Sequence, residues 1–129
     1  MSTLQVGTIK SQSSLPPVFQ NSSGVEKGQL AKMWINFKGS GTVSIRDSFN
    51  VSSLTDNGTG DYTVSFDNSL ANVNYCATGT CTYLMGTTAR YRVLSGYVWS
   101  TGSIRVVTGY RDTVTADHEV VGVVVHGDS

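Results

Sequence analysis

Between residues 33 and 66, apolar and polar positions alternate in three runs parted by two glycine-rich breaks. Met33, Ile35 and Phe37 share one face of the first run, against Lys32, Trp34, Asn36 and Lys38 on the other. Val43 and Ile45, then Phe49 and Val51, keep the period of two, and Tyr62, Val64 and Phe66 repeat it against Thr63 and Ser65. That period puts successive side chains on opposite faces of a strand, so the stretch predicts short consecutive antiparallel strands joined by tight turns. A slip of one residue would turn each apolar set outward, so these runs are expected to set the register of a sheet.

The pattern continues toward the C-terminus. Val73, Tyr75 and Ala77 restart the alternation, with Gly79 expected at a hairpin end and residues 82–85 returning. Ala89, Tyr91 and Val93 alternate with Arg90, Arg92 and Leu94, and Ile104 and Val106 face away from Arg105. Residues 119–126, Glu-Val-Val-Gly-Val-Val-Val-His, are almost continuously apolar and β-branched, which predicts a strand covered on both faces. No stretch shows a capped helical period, and turn signals recur every 8–12 residues or so. The chain therefore reads as all-β, an antiparallel β-sandwich, jelly-roll-like, with a short N-terminal arm.

That arm differs from the rest. Leu4, Val6 and Ile9 predict a short strand over residues 3–10. The serine-rich segment that follows, ending in Pro16-Pro17, reads as extended, because the residue before a proline is pushed out of the helical region. Asn21-Ser22-Ser23-Gly24 is a turn, and residues 25–30 fit a single turn or a short strand equally well. The expected division is an N-terminal strand and extended arm over residues 1–23 and a β-sandwich domain over residues 24–129. The arm is expected to lie against its own domain or a neighbouring subunit.

Residues 34–66 also resemble a block found in bacteriophage tail-fibre and other virion-surface proteins. Its form is W-x-N-F-x-G-x-G-T-V-x-I-R-x-S-F-N-V-S-S-x-T-D-N-G-T-G-D-Y-T-V-x-F, and nearly every fixed position is present here. Lys38 and Ser40 stand where Asn and Thr are usual, both at turn positions. The flanks are similar too, with Pro17-Val18-Phe19-Gln20-Asn21-Ser22-Ser23-Gly24 before the block and Gly102-Ser103-Ile104-Arg105-Val106 after it. The resemblance implies a virion component, and a homotrimer, since tail-fibre proteins are usually trimeric.

Composition narrows the function classes. At 129 residues the chain fits one domain. Its formal net charge is zero and 14% of its residues are charged, against roughly 25% in ordinary soluble domains. Nucleic acid is not an expected partner, because the Lys/Arg excess that a phosphate backbone demands is missing. Surfaces of Ser, Thr, Asn and Gly suit packing and neutral hydrogen bonding instead. No run approaches the ~18 apolar residues needed to span a bilayer, so membrane insertion is not expected. The first residues lack a basic segment followed by an apolar one, so no secretory signal is expected either. Asn21-Ser22-Ser23, Asn50-Val51-Ser52 and Asn57-Gly58-Thr59 match the glycosylation sequon, and without a secretory route they read as chance matches.

Candidate chemistry is sparse. Cys76 and Cys81 admit three readings: partly buried thiols, a disulfide closing a very small loop, or half of a zinc set completed by His118 and His126. A reducing cytosol disfavours the bond, and the seven residues between the histidines exceed the usual zinc spacing. Asp56-Asn57-Gly58-Thr59-Gly60-Asp61 offers oxygen ligands of the kind calcium takes. The favoured reading is a hairpin turn at the surface, built by Asp56, Asn57, Gly58 and Asp61. Asp47 falls on the apolar parity beside Arg46, so either a bulge lets it out or it is buried and paired, with Arg90, Arg92 or Arg105 as partner. No nucleophile elbow, phosphate loop or dinucleotide fingerprint occurs, so no catalytic, cofactor or metal residue is assigned.

Aromatic residues carry the remaining signal. Trp34 stands on an otherwise polar strand face, and Tyr97, Trp99 and Tyr110 cluster in sequence. Trp34, Tyr97, Trp99, Val121 and Val123 are the candidate subunit-interface residues, because aromatics are enriched where subunits meet. The alternatives are an ordinary place in the core of the single domain and, for an exposed ring, contact with a host cell-surface glycan. The expected function is a non-catalytic structural virion protein of a tail fibre or surface appendage, contributing to host attachment. Its expected partners are itself as a homotrimer and other virion proteins, and it would be made in the host bacterial cytoplasm. The alternative is a capsid decoration or cement protein anchored by the N-terminal arm. A glycan-degrading enzyme is disfavoured, because no acid–base carboxylate pair is identifiable.

Overall fold

The computed structural model describes residues 1–13, 16–82, 93–110 and 114–128. Ten strands occur among them: β1 (Phe19–Gln20), β2 (Glu26–Gly28), β3 (Met33–Lys38), β4 (Ser44–Phe49), β5 (Val51–Gly58), β6 (Asp61–Phe66), β7 (Cys76–Thr82), β8 (Val93–Ser100), β9 (Ser103–Gly109) and β10 (Val120–His126). β1 and β2 form a small hairpin of their own. The other eight make two four-stranded sheets in the orders β4-β3-β10-β7 and β5-β6-β9-β8, and every pairing is antiparallel. The sheets pack face to face as a β-sandwich, as the alternation predicts.

The core lies between the central strands. Met33, Ile35 and Phe37 of β3 and Val121, Val123 and Val125 of β10 meet Tyr62, Val64 and Phe66 of β6 and Ile104 and Val106 of β9, all buried. Phe37 and Tyr62 meet edge to face across the sandwich, with ring centroids 5.0 Å apart. The Tyr62 hydroxyl donates to the Gly39 carbonyl at 2.6 Å and lies 3.1 Å from Asp117 Oδ1. That carboxylate also accepts from the Gly60 amide at 2.7 Å, so one tyrosine joins the β3–β4 turn, the β5–β6 turn and the segment before β10. Burial, with the Asp117 charge second, raises the Tyr62 hydroxyl well above its ordinary pKa, which keeps it a donor.

At the corner between the sheets, Asn50 takes a left-handed conformation (φ 57°), which asparagine tolerates better than most residues. Its side-chain amide donates to the carbonyls of Lys32 at 2.9 Å and Asn68 at 3.1 Å, and its oxygen accepts from the Asn68 amide at 2.7 Å. One residue thus carries the chain from β4 to β5.

Several sequence expectations are corrected. Residues 3–10 form no strand: among the described residues no strand pairs with them, and Leu4, Val6 and Ile9 are exposed. Of the two readings for residues 25–30 the short strand holds, since Glu26–Gly28 form β2, whose hairpin with β1 spans the turn at 21–24. Gly79 does not end a hairpin but lies inside β7, where a Cβ would strike the Gly122 carbonyl and come within 3.2 Å of Leu94. Its glycine reflects close approach in a continuous strand. Among the described residues β10 is fully covered on one face only, because Val121, Val123 and Val125 are buried while Val120, Gly122 and Val124 are intermediate. The return expected over residues 82–85 and the alternation of Ala89, Arg90, Tyr91 and Arg92 lie outside the described residues, except for Thr82, which ends β7.

A bulge explains Asp47. Asn36 pairs with Asp47 but Phe37 pairs with Ile45, leaving Arg46 as the extra residue of β4. The parity flips there, so Asp47 is exposed and accepts from the Ser48 amide at 2.8 Å. Arg46 turns back to bond the Phe37 and Glu119 carbonyls and pairs with the Glu119 carboxylate at 2.8 Å. Phe49, beyond the bulge, faces outward rather than with the core set.

Candidate functional site

The outer face of the sheet β4-β3-β10-β7 has no layer over it among the described residues, and strand register sorts its side chains into rows. Directly opposed residues of an antiparallel pair share a face. Phe49, Trp34, Val124 and Thr78 are opposed in turn across all four strands, and Asp47, Asn36, Gly122 and Thr80 form the next row. The first row is aromatic and apolar, and half-exposed: Trp34 is 37% and Phe49 54% accessible. The second is polar, with a gap at Gly122.

The gap is the floor of a shallow depression of about 550 Å³, bounded by Trp34, Asn36, Thr78, Thr80 and Val124. No charged residue lines it. Gly122 has no positive φ, and a Cβ there would meet only Thr80 Oγ1, at an ordinary 3.8 Å. Neither backbone geometry nor packing therefore requires a glycine, although in a strand glycine costs stability against the valines around it. Beside it, Asn36 Oδ1 is shielded from solvent and has no hydrogen-bond partner among the described residues. Leaving such an acceptor unmet costs about 1–3 kcal/mol.

The opposite sheet's outer face is closed on itself. The Arg105 guanidinium grips Asp61 with two bonds, Nε to Oδ1 at 2.8 Å and Nη2 to Oδ2 at 2.7 Å, and stacks 5.1 Å from the Tyr97 ring centroid. Tyr97 Oη donates to Asp61 Oδ2 at 3.3 Å, and Asn57 donates to Thr63 Oγ1 at 2.8 Å and to Asp61 Oδ1 at 3.4 Å. The Arg105 bonds, ahead of the smaller contributions of Asn57 and Tyr97, hold the Asp61 carboxyl below its usual pKa despite partial burial. A depressed carboxyl adds stability above its unfolded value, about pH 3.9, and loses it as pH falls through the lower folded value. The wild-type protein is therefore expected to lose melting temperature as pH falls below about 4, and Asp61→Asn is expected to flatten that loss. Equal acid slopes in the two proteins would refute the pair's contribution.

The structure scatters the aromatic candidates. Trp34 lies on the outer face just described. Tyr97 belongs to the opposite outer face, while Trp99 packs on Tyr75 at 4.8 Å and covers an edge of the core. Tyr110 lies against the His118 ring at 5.7 Å, so the three close in sequence form no cluster. Val121 and Val123 are corrected outright: at 0% and 4% accessibility they belong to the chain's own core and cannot meet another subunit. The strand's valine run hid which parity faces inward.

The turn residues do what a hairpin needs. Asp56 Oδ1 accepts from the Gly58 amide at 3.0 Å, and Gly58 and Gly60 supply the positive φ values, 133° and 64°. With Asp61 committed to Arg105, the loop's oxygens do not converge. Among the described residues no group of three or more His, Cys, Asp or Glu could hold a metal ion. Cys76 and Cys81, five residues apart on β7, point to opposite faces and are not bonded to each other. His118 is buried with Nδ1 2.9 Å from the Ala116 carbonyl, and His126 is exposed at the end of β10.

Sequence reasoning missed Phe49, whose parity the bulge reverses, and Gly122, hidden in the valine run. Arg105 was considered as a partner for Asp47, not Asp61. The signal available for Gly122 was the glycine itself, alone in a β-branched strand. Set beside protein-family models, curated proteins and solved structures, the chain matches none.

Proposed function

We propose that the protein is a non-catalytic structural component of a bacteriophage virion, part of a tail fibre or surface appendage, that assembles as a homotrimer and contributes to host attachment. The observation that carries the attachment role is the uncovered face bearing Trp34 and Phe49 beside neutral hydrogen-bonding groups. Aromatic surface next to Asn and Thr, without charge, fits a partner recognised by shape and neutral polar contacts. The virion assignment rests on the resemblance of residues 34–66, which make up β3 to β6 and their connections. In this reading Trp34, an interface candidate by sequence, serves attachment, and the trimer contact falls on another surface.

Electron microscopy of virions labelled with an antibody to this chain tests the location. Label at tail tips is the expected result, and label spread over the heads would replace it with the decoration reading. Sedimentation equilibrium tests the assembly: the expected mass is three times that of the 13.8 kDa chain. A folded monomer at micromolar concentration would refute the trimer.

One observation favours the second reading, a capsid decoration protein. Residues 1–13 form no strand, and Leu4, Val6 and Ile9 present apolar side chains that are exposed among the described residues. An exposed apolar segment outside any sheet gains most by adding to a partner's sheet edge. Deleting residues 2–17 is expected to leave the β-type circular dichroism of the sandwich intact while weakening subunit association or incorporation into particles. Unfolding of the truncated protein would show that the arm belongs to the domain.

A further inference from the structure

From the geometry of the depression over Gly122 we infer a binding subsite for one neutral hexopyranose ring, which rests on the attachment reading and names its ligand class. Three independent features converge there. Gly122 keeps open a floor that a Cβ would fit without a clash, and glycine inside a strand often marks a place where something approaches the backbone closely. Trp34, on the rim and 37% exposed, offers a ring face to the apolar C–H side of a sugar. Asn36, Thr78 and Thr80 set an amide and two hydroxyls around the same floor, groups that both donate to and accept from sugar hydroxyls.

The absence of charge in the lining selects a neutral ring over an anionic one, and Asp47, in the Asn36 row, opposes a carboxylate further.

The test is titration of the purified protein with the methyl glycosides of glucose, galactose, mannose and N-acetylglucosamine, each alone, followed by tryptophan fluorescence and by NMR shifts. One ring on an open site is expected to bind with a dissociation constant on the order of 1–10 mM. Trp34→Ala is expected to abolish binding. Gly122→Val is expected to weaken it at least tenfold while leaving the melting temperature unchanged or raised, since the added side chain fills the floor and suits a strand. Silence toward all four glycosides would overturn the inference, as would binding that survives Gly122→Val or Trp34→Ala in folded protein. Tighter binding of glucuronate than of the glucoside would overturn its neutral character. A fluorescence change that follows protein concentration and not the glycoside would assign the face to a second copy. The location of label on virions is read separately, so failure here leaves the virion assignment standing and failure there leaves the subsite standing.

Discussion

Replacing Gly60 by alanine is expected to lower the stability of the protein by more than 3 kcal/mol, a large share of the roughly 5–15 kcal/mol available to a domain. Two effects add. Gly60 sits at φ 64°, where an L side chain costs about 1–2 kcal/mol. Its Cβ would also strike the Thr108 carbonyl and come within 2.7 Å of the Ala116 amide nitrogen. Those are backbone atoms held by hydrogen bonds, the Thr108 amide to the Gly60 carbonyl at 2.8 Å and the Ala116 amide to the Thr108 carbonyl at 2.9 Å, so they cannot yield as a flexible side chain would. Gly41 separates the two effects. It has nearly the same φ, 62°, but open space where its Cβ would be, so Gly41→Ala is expected to cost only the conformational part. Urea denaturation of the two variants reads the difference as a gap in midpoint at similar slope. Equal midpoints would show that the backbone around Gly60 gives way.

The second large effect is Phe37→Ala, expected to cost about 3–5 kcal/mol. Phe37 is wholly buried and meets Tyr62 edge to face, so truncation removes both transfer energy and an aromatic contact and leaves a cavity between sheets that cannot collapse onto it. Phe49→Ala is the internal comparison. The same chemistry is removed from a side chain 54% exposed on the outer face, and the expected cost falls below about 1 kcal/mol. If the two variants melt alike, the bulge at Arg46 has been misplaced and Phe49 belongs to the core. The pair thus tests register as well as packing.

That contrast marks how far the sequence could be read. β3, β6 and β9 were legible because each alternates cleanly, and their apolar parity is the buried one. β4 was not, because a bulge adds a residue without any local signal beyond an acid, Asp47, on the wrong parity. β10 was legible as a strand but not as to its buried face, since valine occupies both parities. Gly79 misled because glycine marks turns more often than the crossing of a bulky neighbour such as Leu94. For the candidate site the limit is different in kind. Trp34 could be found from its place among polar residues, but the depression is made by β3, β7 and β10, and no local pattern shows that Asn36, Thr78 and Gly122 will be neighbours. The Asp61–Arg105 pair was invisible for the same reason: 44 residues separate its members.

The position of β10 has a consequence for how the protein comes into being. This strand is made last among the ten, yet it lies in the middle of its sheet, hydrogen-bonded to β3 on one side and β7 on the other. A ribosome-bound chain lacking it has β3 and β4 as a hairpin and β7 apart, with one edge of β3 unpaired and the part of the core that Val121, Val123 and Val125 fill left open. Pairings so distant along the chain form slowly, because loop closure must precede any gain from contact. The sandwich therefore closes only after synthesis has passed residue 126, and until then the free edge of β3 is open to association with other nascent chains.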